Sequence, residues 1–143
     1  MIPEINYWAV LLAMLSSMVV GSVWYTPKVF GNRWMVLAKV DVEGSAKSAV
    51  WPIITTVIVS FITAWVLAGA SVIAWHFYEG SFLFGTLVTG ILLWAGFTAA
   101  RFITHDAFEG RPTALTTLNI AHELVTVVIM AIIIGVWPPA GTV

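Results

Sequence analysis

Thr116, Asn119, Glu123 and Thr126 recur at spacings of three, four and three, inside an apolar run from Ala114 to Trp137. Helical geometry puts these residues on one stripe, with His122 flanking it. Glu123 makes the pattern unusual. A charged side chain at the centre of a bilayer costs roughly 2.5–3.5 kcal/mol on insertion scales, so it normally faces protein or trapped water and has a partner. A carboxylate beside an imidazole can take up and release a proton, or bind a cation, at the floor of a polar cavity. The same residues can also be a hydrogen-bonded cluster that only holds helices together. Counting back roughly twenty residues from Trp137 puts Glu123 about 8 Å inside the membrane edge, and counting from Thr113 puts it about 15 Å inside.

The preceding run carries a second stripe: Trp94, Thr98, Arg101 and His105, at spacings of four, three and four. If the two runs form a hairpin turning near Phe108, equal distances bring Arg101 opposite Thr116 and Trp94 opposite Glu123. Arg101 then either bends toward Asn119 and Glu123 as the cation for the acid, or extends to headgroup phosphates. At the rim of this hairpin His105, Asp106 and Glu109 stand close together. Their spacing matches no recognised ligand pattern, so no metal is expected. His122-Glu123 begins like a zinc-protease motif, but Thr126 stands where the second histidine is required. There is no nucleophile–base pair, phosphate-binding glycine loop or nucleotide motif, so neither an enzyme nor a cofactor is expected.

The elements that position these residues follow from composition. Of 143 residues, 60% are hydrophobic and 9% are charged, where a soluble domain carries about 25% charged residues. Mean hydropathy is +0.98. The chain reads as one membrane domain, residues 1–143, with the lipid bilayer as its solvent. A net charge of −1 gives no basic field for nucleic acid. The absence of cysteine removes disulfides, thiolate metal sites and thiol nucleophiles. No Lys or Arg precedes the first apolar run, so that run is expected to be a retained span rather than a signal peptide.

Four spans are expected, over about 6–25, 52–75, 82–104 and 113–137, which makes the fold an all-α four-helix membrane bundle. Tyr7-Trp8 and Trp24-Tyr25 bracket the first at interface depth. Ser17 with Gly21, Ala64 with Ala68, and Gly96 with Ala100 are small-xxx-small pairs that invite close helix contact. Thr56, Ser60 and Thr63 form a mild polar stripe, read as hydroxyls bonded to their own helix. Pro52 and Pro112 suit first helical positions. Phe30, Trp34 and Leu37, spaced four and three, suit a short helix either lying in the interface or packed on the bundle. Asp41 to Ser48 reads as a solvated turn, and His76, Tyr78 and Glu79 as interface residues.

Lys28, Arg33, Lys39 and Lys47 follow the first span, and Arg101 and Arg111 flank the end of the third. The positive-inside rule puts both links in the cytoplasm and both termini outside. Phe30-Gly31-Asn32-Arg33 and Phe108-Glu109-Gly110-Arg111 share a faint likeness, which two parallel hairpin repeats about an axis along the membrane normal would explain.

Trp24-Tyr25-Thr26-Pro27-Lys28-Val29-Phe30-Gly31-Asn32-Arg33-Trp34-Met35, after the opening Ile5-Asn6-Tyr7-Trp8, resembles the signature of a family of small bacterial integral membrane proteins catalogued as domain of unknown function 1761. The resemblance runs over nearly the whole chain. It implies four spans and a bacterial inner membrane, and brings no activity. From the residues, two functions are expected. One is a transporter or channel for a proton, ion or small solute, working as a homodimer or larger because four helices leave little room for a path. The other is a non-transporting structural, assembly or lipid-binding protein. Glu123, His122, Asn119 and Arg101, with Trp94 and Thr98 beside them, are the expected cluster.

Overall fold

The computed structural model describes residues 3–40, 50–78 and 80–142, and nothing of the Tyr78 side chain. The expected turn at Asp41 to Ser48, with Lys47, and the interface position of Glu79 therefore lie outside the described residues. The described residues are helical, with no strand. Helix α1 is Tyr7–Trp24, α2 is Gly31–Ala38 and α3 is Val50–Tyr78. Helix α4 is Phe82–Phe108, and its stretch Trp94–Ala99 is π-helical. Helix α5 is Thr113–Val136. All but α2 are long and apolar enough to cross a membrane. The chain is an all-α, multi-pass bundle.

Local chemistry sets the helix ends. The Asn6 side chain accepts from the backbone N–H groups of Trp8 and Ala9 at 3.1 and 3.3 Å, capping α1. Its amide nitrogen also donates to the Trp137 carbonyl at 3.1 Å, so one residue starts α1 and ties it to the end of α5. The Ser81 hydroxyl caps α4 through Phe84 N–H. Pro52 is the third residue of α3 rather than the first, still within the turn whose N–H groups lack helical partners. Pro112 caps α5 from outside instead of beginning it.

The long helices run up, down, up and down. Helices α1 and α4 each pack on both α3 and α5, while α3 touches α5 only lightly across the middle. One end of the bundle holds both described chain ends. The other, the basic end, holds Lys28, Arg33, Lys39 and Arg111. Packing differs between them. Toward the chain termini Val10, Ala13, Ala64, Leu67, Ala68, Met130, Ala131 and Ile134 form a closed core. A Cβ on Gly135 would fall 2.9 Å from the Leu83 Cα, so α4 and α5 meet there nearly backbone to backbone. The close contact expected at Gly96 and Ala100 does not form: Gly96 faces open space and Ala100 is exposed.

Toward the basic end α3 stands clear. Residues 50–56, with Ile58 and Val59, are all exposed. Helix α2 is tucked beneath the bundle against α5. The Phe30 and Trp24 ring centroids lie 4.5 Å apart, and those of Trp34 and Tyr25 lie 5.4 Å apart.

Candidate functional site

Splaying α3 at the basic end opens a cleft of about 690 Å³ between α1, α3 and α5. Glu123 and His122 stand on its α5 wall, with Thr126 one turn further on. Ser17, Gly21 and Ser22 face them from α1, Tyr25 from its C-terminal cap, and Thr55, Thr56, Ser60 and Thr63 from α3. The acid is therefore housed by the first and second spans. The expectation that the third span shelters it is overturned.

The π-helical turn supplies the reason. Trp94 keeps its place, and its indole N–H donates to the Ile120 carbonyl at 3.0 Å, pinning α4 to α5. A π turn holds one residue more than an α turn, so everything after it is rotated by about 100° from the register an unbroken helix would keep. Ala99, Phe102 and Asp106 take the inward positions expected of Thr98, Arg101 and His105. Ala99 and Asp106 are buried, while Arg101 and His105 are exposed. Arg101 has no carboxylate within 4 Å among the described residues. It lines a separate groove at the rim with Phe97, Phe102 and His105. Trp94 and Thr98 line an apolar cavity on the other side of α3. Asn119 is half-buried and does not line the cleft.

The rim residues form a clasp on the α4–α5 turn. The Thr116 hydroxyl donates to the buried Asp106 carboxylate at 2.7 Å. Arg111 Nε lies 3.8 Å from the other Asp106 oxygen and donates to Glu109 at 2.6 Å. Among the described residues no three His, Asp or Glu side chains come close enough to hold a metal.

The polar wall of the cleft is rich in acceptors. Ser17, Ser22, Thr56, Thr63 and Thr126 each donate the hydroxyl hydrogen to a carbonyl of their own helix, at 2.7–3.0 Å. For these five residues it leaves only accepting lone pairs free, while the Thr55, Ser60 and Tyr25 hydroxyls on the same wall are not so committed. No described lysine or arginine lines it. The Glu123 side chain is 37% exposed, and its one charge-bearing neighbour among the described residues is His122, whose Nδ1 lies 3.4 Å from Oε1.

His122 is wedged in place. Its ring centroid is 5.7 Å from that of Trp24 and 5.1 Å from that of Tyr25. A Cβ on Gly21 would lie at an ordinary contact distance of 3.7 Å from its Nε2, so α1 borders the ring there without crowding it. His122 Nε2 and Trp24 Nε1 are both buried with no hydrogen-bond partner, and a bridging water is the usual resolution. Tyr25 caps α1 from outside the span. Burial first, and the Glu123 carboxylate second, push its phenol up to about 12.

Tyr25 and Trp24 escaped sequence reasoning because an aromatic pair at a helix end fits a membrane interface equally well. The α3 hydroxyl stripe and the Ser17–Gly21 pair were visible; their shared cavity with Glu123 was not.

A family model described as protein of unknown function (DUF1761) matches residues 8–135. No curated protein and no solved structure matches the chain.

Proposed function

The chain belongs to that family of unknown function, so its role is read from its own residues, and we propose that it is a small membrane transporter or channel that carries a proton, cation or small solute through Glu123. One observation carries this reading: the Glu123 carboxylate faces a cleft bordered by hydroxyls and has no described lysine or arginine within 4 Å. Such a carboxylate is neutralised by what enters the cleft, a proton or a cation. His122 beside it can relay a proton. The bundle is closed toward its termini and open toward its basic end, which suits one state of an alternating-access cycle. In this reading the basic end faces the cytoplasm, by the positive-inside rule, with both termini outside a bacterial inner membrane. Two or more copies complete the path, since four helices enclose little. No catalysis is assigned to the chain.

The test is ion flux into proteoliposomes. Wild-type protein carries protons or monovalent cations above blank liposomes, and Glu123→Gln loses that flux. Equal flux in both, or none above blank, rejects the reading.

A non-transporting lipid-binding role is the second reading. The observation that favours it is Arg101, exposed on a span and turned away from the bundle core, where it can reach headgroup phosphate.

A further inference from the structure

We infer that the Glu123 cleft takes a lipophilic ammonium, an apolar tail ending in a protonated amine, which enters sideways from the membrane between α1 and α3. This rests on the proposal that Glu123 binds a cation, and it names the class of that cation.

Three features point the same way. The first is the mouth. Ile53, Thr56 and Val59 border the cleft from α3 and are exposed, and Ser22 borders it from α1 and is exposed. All four belong to helices long and apolar enough to cross a membrane and lie in the three turns of α3, or the last turn of α1, nearest the basic end. An amphiphile held at that membrane interface can therefore reach the opening.

The second feature is the wall. Beyond the hydroxyl oxygens, the cleft is lined by Met18, Ile53, Val59, Val127 and Met130. A cavity of about 690 Å³ that is mostly apolar with a few convergent polar atoms suits a drug-sized ligand. A bare hydrated metal ion would leave those walls unused.

The third is the sign and direction of the hydrogen bonds. Glu123 accepts, and five of the hydroxyls around it, Ser17, Ser22, Thr56, Thr63 and Thr126, have spent their hydrogens on their own helices. The complementary ligand is positive and donates. A primary ammonium has three donors: one can meet Glu123, and the others the lone pairs of hydroxyls such as Thr56 and Thr126. The Tyr25 ring, packed on His122 and on the cleft wall, adds an aromatic surface near the same charge.

The measurement is a scintillation proximity assay on purified protein with tritiated decylamine as the probe. Wild type binds saturably, and Glu123→Gln weakens binding at least about tenfold. Thr56→Trp, at an exposed position on the mouth, also weakens binding by obstructing entry. Decyltrimethylammonium, which lacks N–H donors, competes less well than decylamine. Methylammonium and decanol, lacking the tail or the charge, do not compete. Unchanged binding in Glu123→Gln, equal competition by decanol, or no saturable binding by folded wild type overturns the inference. Glu123-dependent proton or cation flux without decylamine binding would remove this ligand class and leave the transport reading standing. Saturable, Glu123-dependent binding without any flux would remove transport and leave the ligand class.

Discussion

Thr116 is the residue whose removal gives the cleanest local answer. Its hydroxyl holds the buried Asp106 carboxylate at 2.7 Å. Thr116→Val keeps the shape and deletes the donor, so a buried acceptor loses a partner, at a cost of about 1–3 kcal/mol. The thermal unfolding midpoint in detergent falls accordingly. Thr117→Val is the control: that hydroxyl is exposed and bonds only the Thr113 carbonyl of its own helix, so the midpoint stays near wild type. Equal effects would mean that the clasp does not stabilise the turn. At this scale the sequence was informative about type and poor about partner. Glu123 and His122 stood out because ionisable groups inside an apolar run are costly. Asp106 stands out only as a rim residue beside His105 and Glu109; its pairing with Thr116 is not visible in the sequence, because pairing depends on the rotation of α4.

That rotation belongs to the scale of the element. The spacing of Trp94, Thr98, Arg101 and His105 describes an unbroken α-helix, and the π-helical turn at Trp94–Ala99 breaks it. Residue spacing does not reveal an extra residue within one turn, so the stripe was read one position out of register from Thr98 onward. The absence of cysteine makes the register directly testable. A nitroxide attached at Arg101→Cys or His105→Cys is mobile and accessible; at Ala99→Cys or Phe102→Cys it is immobilised. The reverse pattern would restore the unbroken stripe and return Arg101 to the bundle. The contact between α4 and α5 at the other end makes a second prediction. Gly135 faces the Leu83 backbone, so Gly135→Leu forces the helices apart and lowers stability by about 1–3 kcal/mol, read from the same unfolding midpoint. No loss would mean that the helices do not approach so closely.

At the scale of the whole molecule, span number and alternation were legible because hydrocarbon thickness fixes helix length and a short link fixes antiparallel neighbours. Which diagonal stays apart was not legible. Helix α5 has two packing neighbours, α1 and α4, and the sequence offered only the hairpin with α4 as a clue. The chain closes on itself instead, α1 beside α5, and the gap at the basic end falls between α1, α3 and α5. That closure gives Glu123 its surroundings and makes the cleft, rather than the hairpin, the seat of the proposed function. A lipid-soluble carbodiimide tests this most directly, because it couples to protonated carboxyl groups it can reach from the membrane. After treatment of the purified protein, mass spectrometry of its peptides should find the adduct on Glu123 and none at that position in Glu123→Gln. Adducts confined to other carboxylates, or a Glu123 that does not react in the folded protein, would contradict the account.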